Sequence, residues 1–118
     1  MGDISAHFNR SEFACRCGCG FDTVDTELIA VLEEVRQYFM KPVTITSGCR
    51  CEEHNLSVGG SYGSQHVKAR AADFQVEGVE PEKVYAYIDQ LHNSRYGVGL
   101  YASWVHFDSR QGRARWKG

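Results

Sequence analysis

Proline is scarce in this chain, with two in 118 residues, far too few for a collagen-like chain. Long apolar runs are missing too: the longest fall well short of a bilayer span, so no membrane partner is expected. Neither sign of charge dominates. Thirteen basic side chains face fifteen acidic ones, for a net charge of −2 and a pI near 6.2, which gives no global pull toward nucleic acid. No internal repeat and no low-complexity segment is visible. The opening Met1-Gly2-Asp3-Ile4-Ser5 lacks the basic flank and apolar core of a secretory signal, so the expectation is cytoplasmic synthesis without a signal peptide. With 42% hydrophobic and 24% charged residues, the balance is that of an ordinary globule and excludes a disordered tail. The length fits a single domain over residues 1–118.

What is present in unusual number is cysteine and histidine, five of each. Cysteine stands at about 4%, below the density of a disulfide scaffold. An odd count also forbids complete internal pairing. A compact domain that binds metal is the composition's main suggestion.

Residues 8–21 mix Gly, Cys and charge without a steady period and read as a Cys-containing loop region, or short irregular strands, within an N-terminal segment 1–21. From Thr23 to Phe39 the period is helical: Leu28, Leu32, Val35 and Phe39 recur at steps of three and four, opposite Glu33, Glu34 and Arg36. Asp22, Thr23 and Asp25 are candidate caps, and Pro42 ends the segment. The β-branched run Val43-Thr44-Ile45-Thr46 reads as a strand. Glu52 to Val58 reads as a short helix stopped at Gly59-Gly60. Ala71 to Val76 reads as a strand with Ala72, Phe74 and Val76 on one face and Asp73 on the other. Pro81 suits a first helical turn, after which Val84, Ile88 and Leu91 line one face up to His92. Gly97 to Tyr101 and Trp104 to Ser109 read as two strands joined by a tight turn at Ala102-Ser103, followed by a short basic tail, Gly112 to Trp116. The class is α+β, with helices packed on a small antiparallel sheet.

His66, Asp73 and His106 carry the chemistry. Imidazole nitrogen and carboxylate oxygen are good zinc donors, and a catalytic zinc takes three protein ligands and leaves one position open. Water bound there drops to a pKa near ~7 and becomes a usable nucleophile. By residue type alone, three solvent-facing side chains are the commoner case. The alternation of Trp104, His106 and Asp108 is also what a half-exposed strand shows.

Ser64-Gln65-His66-Val67-Lys68-Ala69-Arg70-Ala71-Ala72-Asp73 resembles the Ser-x-His-x-x-Gly-x-Ala-x-Asp signature of the M15 zinc peptidases. That family includes D-alanyl-D-alanine carboxypeptidases and phage peptidoglycan endopeptidases and shares its fold with the hedgehog signalling domain. Thr46 to Asn55 resembles the family's Ser-Gly-x-Arg segment. Gly97 to Tyr101 and Trp104 to Asp108 resemble its closing hairpin, and His7-Phe8 to Cys19-Gly20 resembles a compact phage-type subgroup.

The resemblance implies a hedgehog/DD-peptidase-like fold and a zinc peptidase acting on peptidoglycan stem peptides at the cell wall. His66, Asp73 and His106 match the zinc ligands, and Arg50 matches the arginine that stabilises the substrate's carbonyl oxygen. The bland reading of Arg50 is a surface ion pair with Glu52 or Glu53. Ser64 is placed to fix the His66 loop or to support a ligand by a hydrogen bond, or is a plain turn serine.

Two departures from the pattern stand out. Ala69 replaces the signature's glycine, and at positive φ it would carry strain of about 1 kcal/mol. The position three residues before His106, where many relatives carry a general base, is Ser103, which cannot take a proton from water near neutral pH. Asp108, two residues from His106 on a strand, is a substitute base or a partner that orients the histidine; His54 is a further candidate. The rival to the enzyme reading is a non-catalytic, zinc-stabilised wall-binding or virion structural module.

Cys15-x-Cys17-x-Cys19 and Cys49-x-Cys51 form a second constellation. Four thiolates make a closed structural zinc site, although one intervening residue is tighter than the usual two to four. Disulfides between the clusters and buried free thiols are the alternatives. Either link would staple the N-terminal loop to the segment bearing Arg50. The bond cleaved and the oligomeric state stay open at this level.

Overall fold

The computed structural model describes residues 2–60 and 63–118. Apolar residues at steps of three and four wind Thr26–Phe39 into α1. Of the three candidate caps, Asp25 serves: its side chain accepts the Leu28 N–H, while Asp22 and Thr23 lie before the helix. Leu28, Val31, Leu32 and Val35 are buried along one face. The helix stops short of Pro42. Met40 turns left-handed, at φ 55°, and returns its N–H to the Arg36 carbonyl.

Strand β1 (Val43–Ser47) follows, then α2 (Glu52–Ser57), β2 (Ala71–Val76), α3 (Pro81–Leu91), β3 (Gly97–Leu100), β4 (Val105–Asp108) and β5 (Ala114–Lys117). Pro81 occupies the first turn of α3, where its missing N–H costs nothing. Val84 and Ile88 are buried, whereas Leu91, expected on the same face, is exposed where the helix ends. Within residues 8–21 a 3-10 turn forms at Arg10–Phe13, anchored by buried Phe13.

The sheet order is β1-β2-β4-β3-β5. The first three pairings are antiparallel, as expected, but β5 joins β3 in parallel, so the sheet is mixed. Most of β5 falls in the basic tail Gly112 to Trp116, which carries no strand signal of its own because its partners are distant in sequence. Arg115 donates to Asp89 of α3 and to the carbonyls of His92 and Tyr96, which turns a charged residue into an anchor at a helix C-terminus.

The helices cover one face of the sheet. Phe74, Val98, Val105 and Phe107 point into the core with the buried residues of α1 and α3. The two-residue period of a strand then sends Asp73, His106 and Asp108 to the opposite face. A bulge at Thr46 breaks the β1–β2 register between Ile45 and Ser47 and leaves Ser47 opposite Asp73. Among the described residues no helix is long and apolar enough to cross a membrane.

Candidate metal centre

Asp73 on β2 and His106 on β4 are direct cross-strand partners, so their side chains meet on the open face. The loop after α2 brings in His66. Ser64 Oγ accepts the His66 N–H at 3.2 Å, and the Arg50 N–H donates to the His66 carbonyl at 3.0 Å. Ala69 closes this loop at φ 60°, the left-handed conformation in which the signature's glycine would be at ease.

His66 Nε2 lies 3.4 Å and His106 Nδ1 2.9 Å from Asp73 Oδ1. The other nitrogen of each ring is already committed. His66 Nδ1 is 2.6 Å from the Gly48 carbonyl oxygen, which only accepts, so the proton sits on Nδ1. His106 Nε2 is 2.8 Å from Asp108 Oδ2 and donates to it. Two nitrogen lone pairs and a carboxylate oxygen therefore converge, all within 4.8 Å of one another. Donors of a tetrahedral zinc, at about 2.0–2.1 Å from the ion, stand roughly 3.3 Å apart. The residues present fit zinc in number, type and spacing.

The ionisation states follow from the same contacts. Burial opposes the charge on Asp73, but hydrogen bonds from His106 and His66 outweigh it and hold the carboxyl below its usual range. Burial likewise works against an imidazolium at His106, and hydrogen bonds to Asp108 and Asp73 reverse the effect and raise its pKa.

Asp108 is fully buried. Its carboxylate accepts from His106 and from Arg110 Nε and Nη2, both at 2.7 Å. Burial is again overcome, first by the His106 bond and then by Arg110, and its pKa falls. Asp108 is not among the cleft-lining residues described, whereas its partners His106 and Arg110 are. Of the two roles open to Asp108, substitute base or partner that orients the histidine, this geometry fits the second: a buried carboxylate held between two donors orients a ligand. Ser103 lies elsewhere, at the hairpin turn, where its carbonyl accepts from Gln75.

The cleft holds about 630 Å³ and includes Arg50, Tyr101, Trp104 and Trp116 in its lining. Arg50 is not a surface pair of Glu52 or Glu53. Its Nη2 is 3.4 Å from Asp73 Oδ2, Nη1 donates to Asn55 Oδ1 at 3.1 Å, and Nε donates to Ser47 Oγ at 3.2 Å. Tyr101 and Trp104 stack at 4.7 Å, nearly parallel, and Trp116 Nε1 donates to the Tyr101 hydroxyl. Gly99 makes room for that wall, because a Cβ there would strike the Trp116 indole.

Sequence reasoning missed Asn55, Arg110 and Trp116. Asn55 lay inside a quoted motif without a role, and the other two stood in the stretch read as a tail or just before it. His7 and His92 bond Glu33 and Glu34 of α1. His54, on α2, is not among the cleft-lining residues described.

Cys15, Cys17, Cys19 and Cys51 also converge within 4.8 Å, while buried Cys49 stands apart with its thiol donating to the Phe13 and Phe21 carbonyls. Burial opposes a thiolate at Cys15, yet hydrogen bonds from the Cys51 and Cys17 backbone and thiols bring its pKa down to about 7. Cys17 is pushed up to about 12, chiefly by its hydrogen bonds with Cys19 and Cys15. Burial lifts Cys49 to about 11.

A helix-backed sheet whose open face presents a His-Asp-His donor set to a cleft defines a candidate metal centre. A model of the peptidase M15 family matches residues 6–108, and the chain belongs to that family, whose members are zinc-dependent metallopeptidases. A search of the curated proteins found no match. Arg110 and β5, with Trp116, lie beyond the matched stretch and still help to build the cleft.

Proposed function

We propose that this chain hydrolyses a peptide bond in bacterial peptidoglycan stem peptides, as a carboxypeptidase or endopeptidase of the compact phage type, and reaches the cell wall after cytoplasmic synthesis. The observation that carries the reading is the convergence of His66, Asp73 and His106 on a cleft that Arg50 also enters. Zinc bound there supplies a Lewis acid for the scissile carbonyl and activates water. Everything else falls to the chain. Gly48 and Asp108 fix the tautomers of His66 and His106, so that the ligating nitrogens face inward. Arg50, braced by Ser47 and Asn55, keeps a permanent charge beside the donors, where it stabilises a developing oxyanion. Tyr101, Trp104 and Trp116 give the cleft a flat apolar wall against which an extended peptide or its attached sugar can lie.

One observation favours the rival reading of a non-catalytic, zinc-stabilised wall-binding or virion module. Among the described cleft-lining residues, Asp73 is the sole carboxylate and both imidazoles are metal donors, so none is left as a free base. General-base assistance contributes roughly 100- to 10,000-fold, and an enzyme without it is slow. The deciding experiment incubates the zinc-loaded protein with peptidoglycan, with and without a chelator, and analyses released fragments by mass spectrometry. Chelator-sensitive cleavage products are expected. Unchanged peptidoglycan in the presence of one zinc at His66 refutes the enzyme reading and leaves the binding module.

A further inference from the structure

The peptidase reading uses none of the five cysteines. Four of them meet in one place. Cys15 Sγ lies 3.5 Å from Cys17 Sγ and 3.8 Å from Cys51 Sγ, and Cys17 Sγ lies 3.6 Å from Cys51 Sγ. Cys19 completes a group whose sulfurs are all within 4.8 Å of one another. Sulfurs at the corners of a zinc tetrahedron, with Zn–S near 2.3 Å, stand about 3.8 Å apart. The three separations, 3.5, 3.6 and 3.8 Å, cluster around that value, and no pair is bonded as a disulfide.

We infer that Cys15, Cys17, Cys19 and Cys51 form a second metal centre, a closed tetrathiolate site for a structural zinc ion that ties the N-terminal loop to the segment bearing Arg50.

Three further features support it. First, backbone N–H groups point at the sulfurs: Cys51 N–H donates to Cys15 Sγ and His54 N–H to Cys51 Sγ, both at 3.4 Å. Such bonds fix and tune thiolate ligands in metal sites. Second, the loop is shaped to bring alternate residues together. Gly18 turns at φ +81° and returns its N–H to the Cys15 carbonyl, while the Cys15 N–H reaches the Phe21 carbonyl at 2.7 Å. This turn lets a one-residue spacing, tight on paper, present its thiols to one point. Third, the odd cysteine is accounted for. Cys49 is buried with its thiol on two carbonyls, which leaves four donors, the number a closed site needs. All-sulfur donors select zinc over magnesium or calcium. Cys17 and Cys19 are exposed, which gives the ion a way in.

The site shares no residue with the His66 centre, so the two are counted separately. Elemental analysis of protein purified under reducing conditions should give two zinc ions per wild-type chain, one in His66→Ala and one in Cys51→Ser. Cobalt-loaded His66→Ala should show an intense thiolate-to-cobalt charge-transfer band in the near ultraviolet. That band should vanish in a protein that also carries Cys19→Ser, a change at an exposed thiol that serves if Cys51→Ser does not fold. In the metal-loaded wild type the four ligand thiols should resist alkylation along with buried Cys49, and those four alone should become reactive after chelation. A single zinc in the wild type that disappears in His66→Ala overturns the inference, as does a cobalt spectrum of His66→Ala without the charge-transfer band. Failure of the peptidase reading shows instead as intact peptidoglycan while both zinc counts hold.

Discussion

Asparagine at position 108 keeps the shape of the aspartate and removes its charge. In the native fold the carboxylate, with no exposed surface, accepts one hydrogen bond from His106 at 2.8 Å, two from the Arg110 guanidinium at 2.7 Å and one from the Arg110 backbone N–H at 3.2 Å. An amide cannot serve both partners. If its oxygen faces His106, its NH2 meets the guanidinium; if the NH2 faces His106, the ring must flip its tautomer and lose the inward lone pair. Hydrogen bonds to charged groups contribute about 1.5–3 kcal/mol each, and breaking one side of a buried pair costs about 3–5 kcal/mol. Arg110 keeps about a third of its surface in water and can be rehydrated, so the lower end of that range applies and Asp108→Asn should cost about 3 kcal/mol. Loss of a partner that orients a ligand lowers metal affinity by about 10- to 100-fold. Two assays read these separately: urea denaturation of the metal-free protein, and zinc affinity by competition with a chromophoric chelator. Unchanged zinc affinity would refute the orienting role. Lost hydrolysis with unchanged zinc affinity would restore Asp108 as a base.

Arg50→Ala should leave the zinc count intact while lowering kcat by about 100- to 1,000-fold, the usual cost of removing an oxyanion donor; kinetics on a stem peptide beside elemental analysis checks both, and an unaltered kcat sinks the assignment. Ala69→Gly should stabilise the fold by about 0.5 kcal/mol, because relief of about 1–2 kcal/mol of left-handed strain is partly offset by loss of a buried methyl worth about 0.8 kcal/mol; a lowered melting temperature contradicts it. In a Cys15→Ser background, which removes a thiol whose lowered pKa adds stability as pH rises through about 7, the metal-free chain should be more stable at pH 5.5 than at pH 8. His106 has a raised pKa in the fold, so its contribution is complete below about 6.5 and is lost as pH climbs through the raised value. Asp73 and Asp108 have lowered values, so theirs is present above about 3.9 and disappears only as pH falls toward them. Urea midpoints at the two pH values test the sign, and a higher midpoint at pH 8 reverses it.

The sequence alone determined what depends on neighbours in the chain. Periods of three to four set α1 and α3. The alternation in Ala71–Val76 set β2 and put Asp73 opposite Phe74, and the loop motif placed His66 seven residues before Asp73. Positive φ at Ala69 was legible as well, as the point where the signature wants glycine. Tertiary structure decided what depends on partners far away. It chose Asp73 rather than a neighbouring glutamate for Arg50, bonded Asp108 to His106, separated Cys49 from the other four thiols, and folded residues 114–117 onto β3 as a parallel strand. The physical reason is the same in each case. Side-chain period, caps and turn chemistry are local, whereas the direction a charged or thiol side chain takes is set by whichever donors and acceptors the packed sheet brings within about 3 Å of it.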